Sequence, residues 1–280
     1  MARKPAVAGM FYEDDANRLK DQIELAFKSS FGPGRVPEPI AKNKTPAAGI
    51  VPHAGYPFSA AGAAHFYSEL AQSQKPDTFL ILGTDHTGAG NVMSDQDFET
   101  PFGTAKIDKT LLEDLKKQGI EVNNSGHARE HSIEVQIPFL QFLYGDDFKF
   151  VPLIVGSYEG LSEKISKSVE GKNICIIVSS DFTHYGFSYG FIPFSPEEAK
   201  AKLPELDKGA IEFILKCDAK HFLGYLEDTG ATICGFNGIA VLLELLKGKN
   251  IEGKLLKYYT SGDVTRDYSN AVGYATIIFK

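Results

Sequence analysis

Three stretches of this chain are almost uninterruptedly apolar, and each breaks off into a polar loop that carries a histidine. Ala47–Val51 stops at Pro52-His53, Thr78–Gly83 at Thr84-Asp85-His86, and Asn173–Val178 at the loop Ser179–His184. A strand with one solvated face alternates apolar and polar residues, so strands apolar throughout need cover on both faces. That requirement selects an α/β architecture, with helices on both sides of a largely parallel sheet. In such a sheet the carboxyl ends of the strands share one edge, so the three histidine loops can converge there.

The intervening segments supply the helices. Leu19, Ile23, Ala26 and Phe27 fall on one helical face. Ser59 reads as the cap of a small-residue helix through Leu70, and Asp108–Gln118 as a helix stopped by Gly119. Further helices are expected over Ser132–Tyr144, Leu161–Val169, 218–226 and Gly238–Lys247, with 196–202 and 205–216 flanking Pro204. Phe148–Val155 reads as a strand, and the Pro-, Gly- and Lys-rich Phe31–Thr45 as an exposed connection. Strands at Leu255–Ser261 and Ala271–Phe279, joined through Gly262-Asp263, make the sheet mixed if they run antiparallel. With no repeat, low-complexity tract or linker, the expected fold is a single three-layer α/β/α domain over residues 1–280, its central sheet mixed and mostly parallel.

Composition narrows the function. The net charge is −7 and the 29 basic residues are scattered, so nothing forms the face that nucleic acid or an anionic membrane requires. No apolar run approaches the ~18 residues of a spanning helix, and the N-terminus lacks a signal-peptide core. Cys175, Cys217 and Cys234 form no C-x-x-C pair. The expectation is a cytoplasmic protein with reduced thiols.

The strand-end residues carry the chemistry. His53, His86 and His184 are of metal-ligand or acid/base type, and Asp85 and Asp181 share two of the loops. Cys234 precedes an expected helix start, where the dipole favours a thiolate. Two imidazoles and one anion make a three-ligand site with open positions. Each residue also has a plainer role: a histidine after a strand can bond turn carbonyls, and Cys234 can be a small buried hydrophobe. Cys175 reads as a core thiol, His65 as structural, and Cys217 and His221 as packing or solvent residues. The segment His127–Glu134 holds two histidines and two carboxylates in the order H-x-x-E-H. It can be helix capping with a salt-bridged loop, or a shell that orients the pocket's imidazoles.

The motifs together resemble the Memo-like protein family, called AmmeMemoRadiSam system protein B in prokaryotes. They are R-K-P-A-V-A-G-M-F-Y at 3–12, P-H-A-G-Y at 52–56, I-L-G-T-D-H at 81–86 and E-H-S-I-E-V-Q-I-P-F-L at 130–140. V-S-S-D-F-T-H at 178–184, T-I-C-G at 232–235 and A-V-G-Y-A at 271–275 continue the series in family order. The family is similar in fold to the class III extradiol dioxygenases, which cleave aromatic rings with non-haem Fe(II).

The resemblance implies that His53 and His86 are metal ligands, with Cys234 where the dioxygenases have a carboxylate. It implies His184 as the acid/base, with Asp181 beside it, and His131 and Glu134 lining or buttressing the pocket. The implied cofactor is a divalent metal, Fe(II) first; zinc or copper suits the softer thiolate. Thr84-Asp85 stands where many relatives have Pro-Asn, and Glu13 where proline is usual. Three readings stay open: metal-dependent, dioxygenase-like oxidoreductase chemistry on a small molecule; a non-catalytic scaffold receiving a peptide or protein segment in the pocket; and thiol catalysis by Cys234. The family also implies radical-SAM and AMMECR-type partners acting in trans.

Overall fold

The computed structural model describes residues 2–38 and 43–280. Among the described residues, eleven strands form one mixed sheet. In chain order they are β1 (Ala48–Val51), β2 (Thr78–Thr84), β3 (Val92–Met93), β4 (Phe98–Thr100), β5 (Gly103–Ile107) and β6 (Glu121–Val122). They continue with β7 (Lys149–Val155), β8 (Ile174–Ser179), β9 (His184–Gly186), β10 (Gly253–Thr260) and β11 (Asn270–Phe279). The main path runs β10-β11-β1-β8-β2-β7-β3-β6. Its centre, β1, β8, β2 and β7, is parallel, and every residue of β1 and β2 is buried. The continuous apolar runs thus lie where both faces are covered.

The helices are α1 (Ala16–Lys28), α2 (Tyr56–Ala71), α3 (Lys109–Lys117), α4 (Asn124–His127) and α5 (Ile137–Tyr144). Then come α6 (Leu161–Val169), α7 (Pro196–Leu215), α8 (Ala219–Thr229), α9 (Phe236–Leu246) and α10 (Ser261–Thr265). Helices α1, α2 and α5 pack together on one side, with α2 against β1, β10 and β11. On the other, α3 meets α6, α6 and α8 meet α9, and α9 lies on β2 and β8. The architecture is α/β with a mixed, mostly parallel sheet flanked by helices. No helix among the described residues is long and apolar enough to cross a membrane.

One point of topology positions everything that follows. Strand β8 lies between β1 and β2, so its outgoing loop, Ser179–His184, sits between the loops bearing His53 and His86. At the other end of the path, β11 runs antiparallel to both β1 and β10. Its first residues also pair with β9, Val272 opposite His184, and tie that histidine to the sheet.

Several local expectations are corrected. Helix α2 begins at Tyr56 rather than after Ser59, because Pro57 is preset for a first helical turn; Ser59 Oγ donates to the Ala54 carbonyl at 2.6 Å. Pro204 does not divide α7, whose residue Lys200, the one losing its i+4 donor, lies on the exposed face. The helix expected from Ser132 begins at Ile137, after a 3-10 turn over Glu134–Gln136. Residues 130–133 instead cross the end of β2: Thr84 N–H donates to Ser132 Oγ at 3.0 Å, and a Cβ on Gly83 would lie 2.5 Å from Ile133. Only a glycine admits that crossing. In the predicted exposed connection, Phe31 stacks on Tyr259 at 4.8 Å and Pro37 is buried; residues 39–42 of it lie outside the described residues. The short strands β3 to β6 had no signature in the sequence.

Candidate metal centre

Strand β1 delivers His53 into the interior, with its side chain only 3% exposed. Asp181 Oδ1 accepts the backbone N–H groups of His53 at 2.7 Å and Ala54 at 3.3 Å, fixing the turn that aims the ring. The ring's Nδ1 faces Ser179 Oγ at 3.3 Å. That hydroxyl donates its proton to the Ser132 carbonyl at 2.6 Å and accepts from Gln136 Nε2 at 2.8 Å. Gln136 is itself oriented, its Oε1 accepting from Tyr67 OH at 2.7 Å and its Nε2 also donating to the Pro52 carbonyl at 3.0 Å. With its proton committed, Ser179 offers His53 only a lone pair. Nδ1 therefore carries a hydrogen, and Nε2 is the ring atom that faces Cys234.

His86 is set the same way by a different partner. Its Nδ1 lies 3.0 Å from Glu130 Oε1, and its backbone N–H donates to Glu130 Oε2 at 3.0 Å. Glu130 is wholly buried and also accepts from Ser132 N–H at 2.8 Å. A carboxylate on Nδ1–H leaves Nε2 as the free donor atom. Asp85, beside it in sequence, serves only its own loop, accepting from Ala89 N–H at 2.9 Å and Gly90 N–H at 2.8 Å.

Cys234 enters just before α9. Its Sγ lies 3.3 Å from His53 Nε2, and the Asp181 backbone N–H donates to it at 3.3 Å. One ligand atom from each of His53, His86 and Cys234 falls within 4.8 Å of the others. An ion bound at about 2.0 Å from nitrogen and about 2.3 Å from sulfur spaces its ligands roughly 3.5 Å apart. The 3.3 Å between His53 Nε2 and Cys234 Sγ matches that spacing, and His86 offers its donor atom within 4.8 Å of both.

Charge distribution follows from the same contacts. Burial works against ionising Cys234, but His53 and His86 outweigh it and bring the thiol down to about 5. Burial likewise works against a charged His53, yet the thiolate and Asp181 lift it to about 9. For His86, burial is overcome by Cys234 and Glu130, which raise it to about 10. Burial and the facing His53 hold His131 down at about 4, so that ring stays neutral. Glu130→Gln is expected to lower the His86 pKa by about 1–3 pH units, read from the NMR titration of its ring protons.

A cavity of about 510 Å³ opens onto this cluster, and His53, His86, His131, Asp181 and His184 all line it. His131 stacks on His86 with ring centroids 4.6 Å apart and meets Phe11 edge-on at 4.8 Å. His184 places Nδ1 at 3.0 Å from the Phe182 carbonyl, so Nδ1 carries the hydrogen and Nε2 is an acceptor. Glu134 is not in the wall: it is buried behind the site, where it accepts from Arg3, Ala6, Val7 and Tyr12.

The loop between Asp181 and His184 has its own anchor, which sequence reasoning missed. Asp207 on α7 is fully buried, accepting from Thr183 N–H at 3.1 Å and Tyr258 OH at 2.7 Å. It packs against Gly273, where any Cβ would collide with its carboxylate. Burial, only partly offset by these donors, raises Asp207 to about 6. Above its unfolded value near 3.8 and below about 6, the folded state holds a proton that the unfolded chain has released. Stability from this group is therefore lost as pH rises through that window, by about 3 kcal/mol in all. Asp207→Asn should gain about that much relative to wild type between pH ~4 and pH ~7, measured by urea unfolding.

Other residues that shape the site also escaped the sequence reading. Ser179, Gln136 and Tyr67 orient His53 from three separate elements, and only their convergence in space reveals them. Glu130 had a signal, since it sits in the H-x-x-E-H segment, yet the spacing alone did not say which of that segment's carboxylates faces the histidines.

The Memo-like protein family model matches residues 3–278. A MEMO1 family protein of Desulfurococcus amylolyticus is 39% identical over 290 residues, covering 99% of this chain and 98% of the relative. One from Methanopyrus kandleri is 39% identical over 293 residues, covering 100% and 99%. Among solved structures, an uncharacterized protein of Escherichia coli K12 superposes with a TM-score of 0.55, covering 84% of this chain and 100% of that one. At 13% identity that likeness is one of fold. Matched by the family model from residue 3 to residue 278 and aligned with such relatives over nearly their whole length, the chain belongs to the Memo-like protein family.

Proposed function

We propose that His53 Nε2, His86 Nε2 and Cys234 Sγ hold a divalent transition metal, Fe(II) foremost, and that the adjoining cavity performs metal-dependent redox chemistry on a small organic molecule. The observation that carries this reading is the pair of Nδ1 contacts: Ser179 and Glu130 occupy both Nδ1 positions, which leaves each ring its Nε2 as the metal-facing atom, and His53 Nε2 lies 3.3 Å from the sulfur. A bound ion of this kind supplies Lewis acidity and an open coordination position for substrate or oxygen. His184 holds its Nε2 ready to take a proton from a molecule in the cavity. His131, kept neutral, accepts or donates a hydrogen bond beside the ligands without competing for charge. Asp181 holds the His53 turn, and Phe11 packs edge-on against the His131 ring.

The protonation pattern makes the reading testable. At neutral pH His53 and His86 hold protons, and Cys234 has lost its own. A cation needs neutral imidazoles, so binding should release about two protons and strengthen about a hundredfold per pH unit between pH ~6 and ~8. Calorimetry of Fe(II) or Zn(II) uptake in buffers of different ionisation enthalpy, performed anaerobically, counts those protons. Negligible uptake by wild type would overturn the metal reading and leave the scaffold and thiol ones.

A further inference from the structure

One buried hydroxyl in the cavity wall has no work inside the protein. Tyr274 on β11 is only 2% exposed and lines the cavity beside Val272, and among the described residues its OH makes no hydrogen bond. The hydroxyls of Tyr144 and Thr183 are orphaned too, but those are sealed in the interior, whereas Tyr274 borders open space. Its neighbours are already engaged. Tyr259, opposite it on β10 with ring centroids 5.4 Å apart, spends its hydroxyl on α2, donating to the Phe58 carbonyl at 2.6 Å and accepting from Gly62 N–H at 3.1 Å. Ser261 Oγ, near Tyr274 but outside hydrogen-bond geometry with it, accepts from Val272 N–H at 2.9 Å. The strand is held firmly at this point. Gly273, just before the tyrosine, accepts from Phe182 N–H at 2.8 Å and donates to the Thr183 carbonyl at 3.0 Å, which ties β11 to the loop carrying Asp181 and His184. Burial, reinforced by the Asp181 charge, raises the Tyr274 pKa, so the phenol keeps its proton at neutral pH. A buried polar group ordinarily finds a partner. This one can find it only in the cavity.

We propose that Tyr274 binds the small organic molecule that enters the cavity, its phenol donating a hydrogen bond to an acceptor oxygen of that molecule, a carbonyl or an oxyanion, while the molecule's apolar body lies against Phe11, Phe58 and Val272. The proposal deepens the function given above, resting on its reading of the cavity as the substrate site, and adds a specificity residue from β11 to the histidines of the strand-end loops. A head group that offers only N–H donors gives the phenol proton nothing to bond and gains nothing from it.

Benzohydroxamate and benzylamine present one ring with two heads, the first rich in acceptor oxygens and the second an ammonium that only donates. Their affinities for the full chain, metal-free and with one equivalent of Zn(II), are measured by ligand-observed NMR. Tyr274→Phe removes one oxygen and keeps the ring against Tyr259. It should weaken benzohydroxamate about tenfold in whichever form binds it, and change benzylamine, the weaker ligand, less than twofold. A purely structural tyrosine would shift both probes together or neither. In wild type carrying carbon-13 at the tyrosine Cζ positions, saturation with benzohydroxamate should move the Tyr274 resonance, and benzylamine should leave it in place; this arm needs no variant. Equal losses for the two probes, no loss for benzohydroxamate, an unmoved Cζ resonance, or no saturable benzohydroxamate binding by either form would overturn the proposal. The zinc content of the same samples separates it from the metal reading. A selective loss in a chain that takes up no zinc faults the metal centre alone, and bound zinc without a selective loss faults the role of Tyr274 alone.

Discussion

Glu134→Ala is expected to destabilise the protein by about 3–5 kcal/mol and to release the N-terminal arm. Glu134 is wholly buried, and its carboxylate accepts from Arg3 Nη1 at 2.7 Å, Ala6 N–H at 2.7 Å, Val7 N–H at 3.0 Å and Tyr12 OH at 2.7 Å. Its removal strands a buried guanidinium and two backbone donors, each of which costs more unpaired than the pair returns when formed. Arg3 keeps its bonds to the His127 and Glu130 carbonyls, both 2.7 Å, and its place over Phe98 at 4.5 Å, but loses its counter-charge. The arm also carries Phe11, a cavity wall residue whose carbonyl holds the start of α2. Loss of the anchor should thus lower the melting temperature by on the order of 10 °C and open residues 3–12 to proteolysis. Replacing both Arg3 and Glu134 with methionine should cost less than Glu134→Ala, because no unpaired charge remains. Thermal unfolding checks this; a loss below about 1 kcal/mol for Glu134→Ala would contradict the account.

The second large effect is on metal affinity. Cys234 is the only anionic member of the three-ligand set, and its thiolate is held by His53 and by the Asp181 amide. Cys234→Ala should leave two neutral imidazoles and lower affinity for zinc or iron by more than about a hundredfold, beyond the loss that follows from disturbing an orienting partner. The fold should survive, since the side chain is small and only partly buried. Cys234→Asp restores an anion of harder character, so it should recover Fe(II) more than it recovers zinc or copper. Competition with a chromophoric chelator measures each affinity. Equal affinity of Cys234→Ala and wild type would remove the thiolate from the coordination set.

Much of this was readable in the chain because the carriers are long and uniformly apolar. Strands β1, β2 and β8 announce themselves, and a parallel arrangement forces their outgoing loops to one edge, which brings His53, His86 and His184 together. The partners of those histidines were less legible. In H-x-x-E-H-S-I-E, Glu130 and Glu134 are four residues apart, and helical spacing would put them on one face. The 3-10 turn and the crossing of Gly83 send them in opposite directions, Glu130 to His86 and Glu134 to Arg3. Arg3 itself sits 131 residues from Glu134, beyond any local pattern. Asp207 hid inside α7, where a carboxylate ordinarily faces solvent, and only the glycine opposite it at 273 records its presence.

The central claim is that two Nε2 atoms and one thiolate share a single ion. A crystal of the anaerobically purified protein, with anomalous differences collected on both sides of the iron and zinc edges, tests it directly. The account predicts one peak at about 2.0–2.3 Å from His53 Nε2, His86 Nε2 and Cys234 Sγ, with both Nδ1 atoms still bonded to Ser179 and Glu130. A metal bound elsewhere in the cavity, or through either Nδ1, would contradict it.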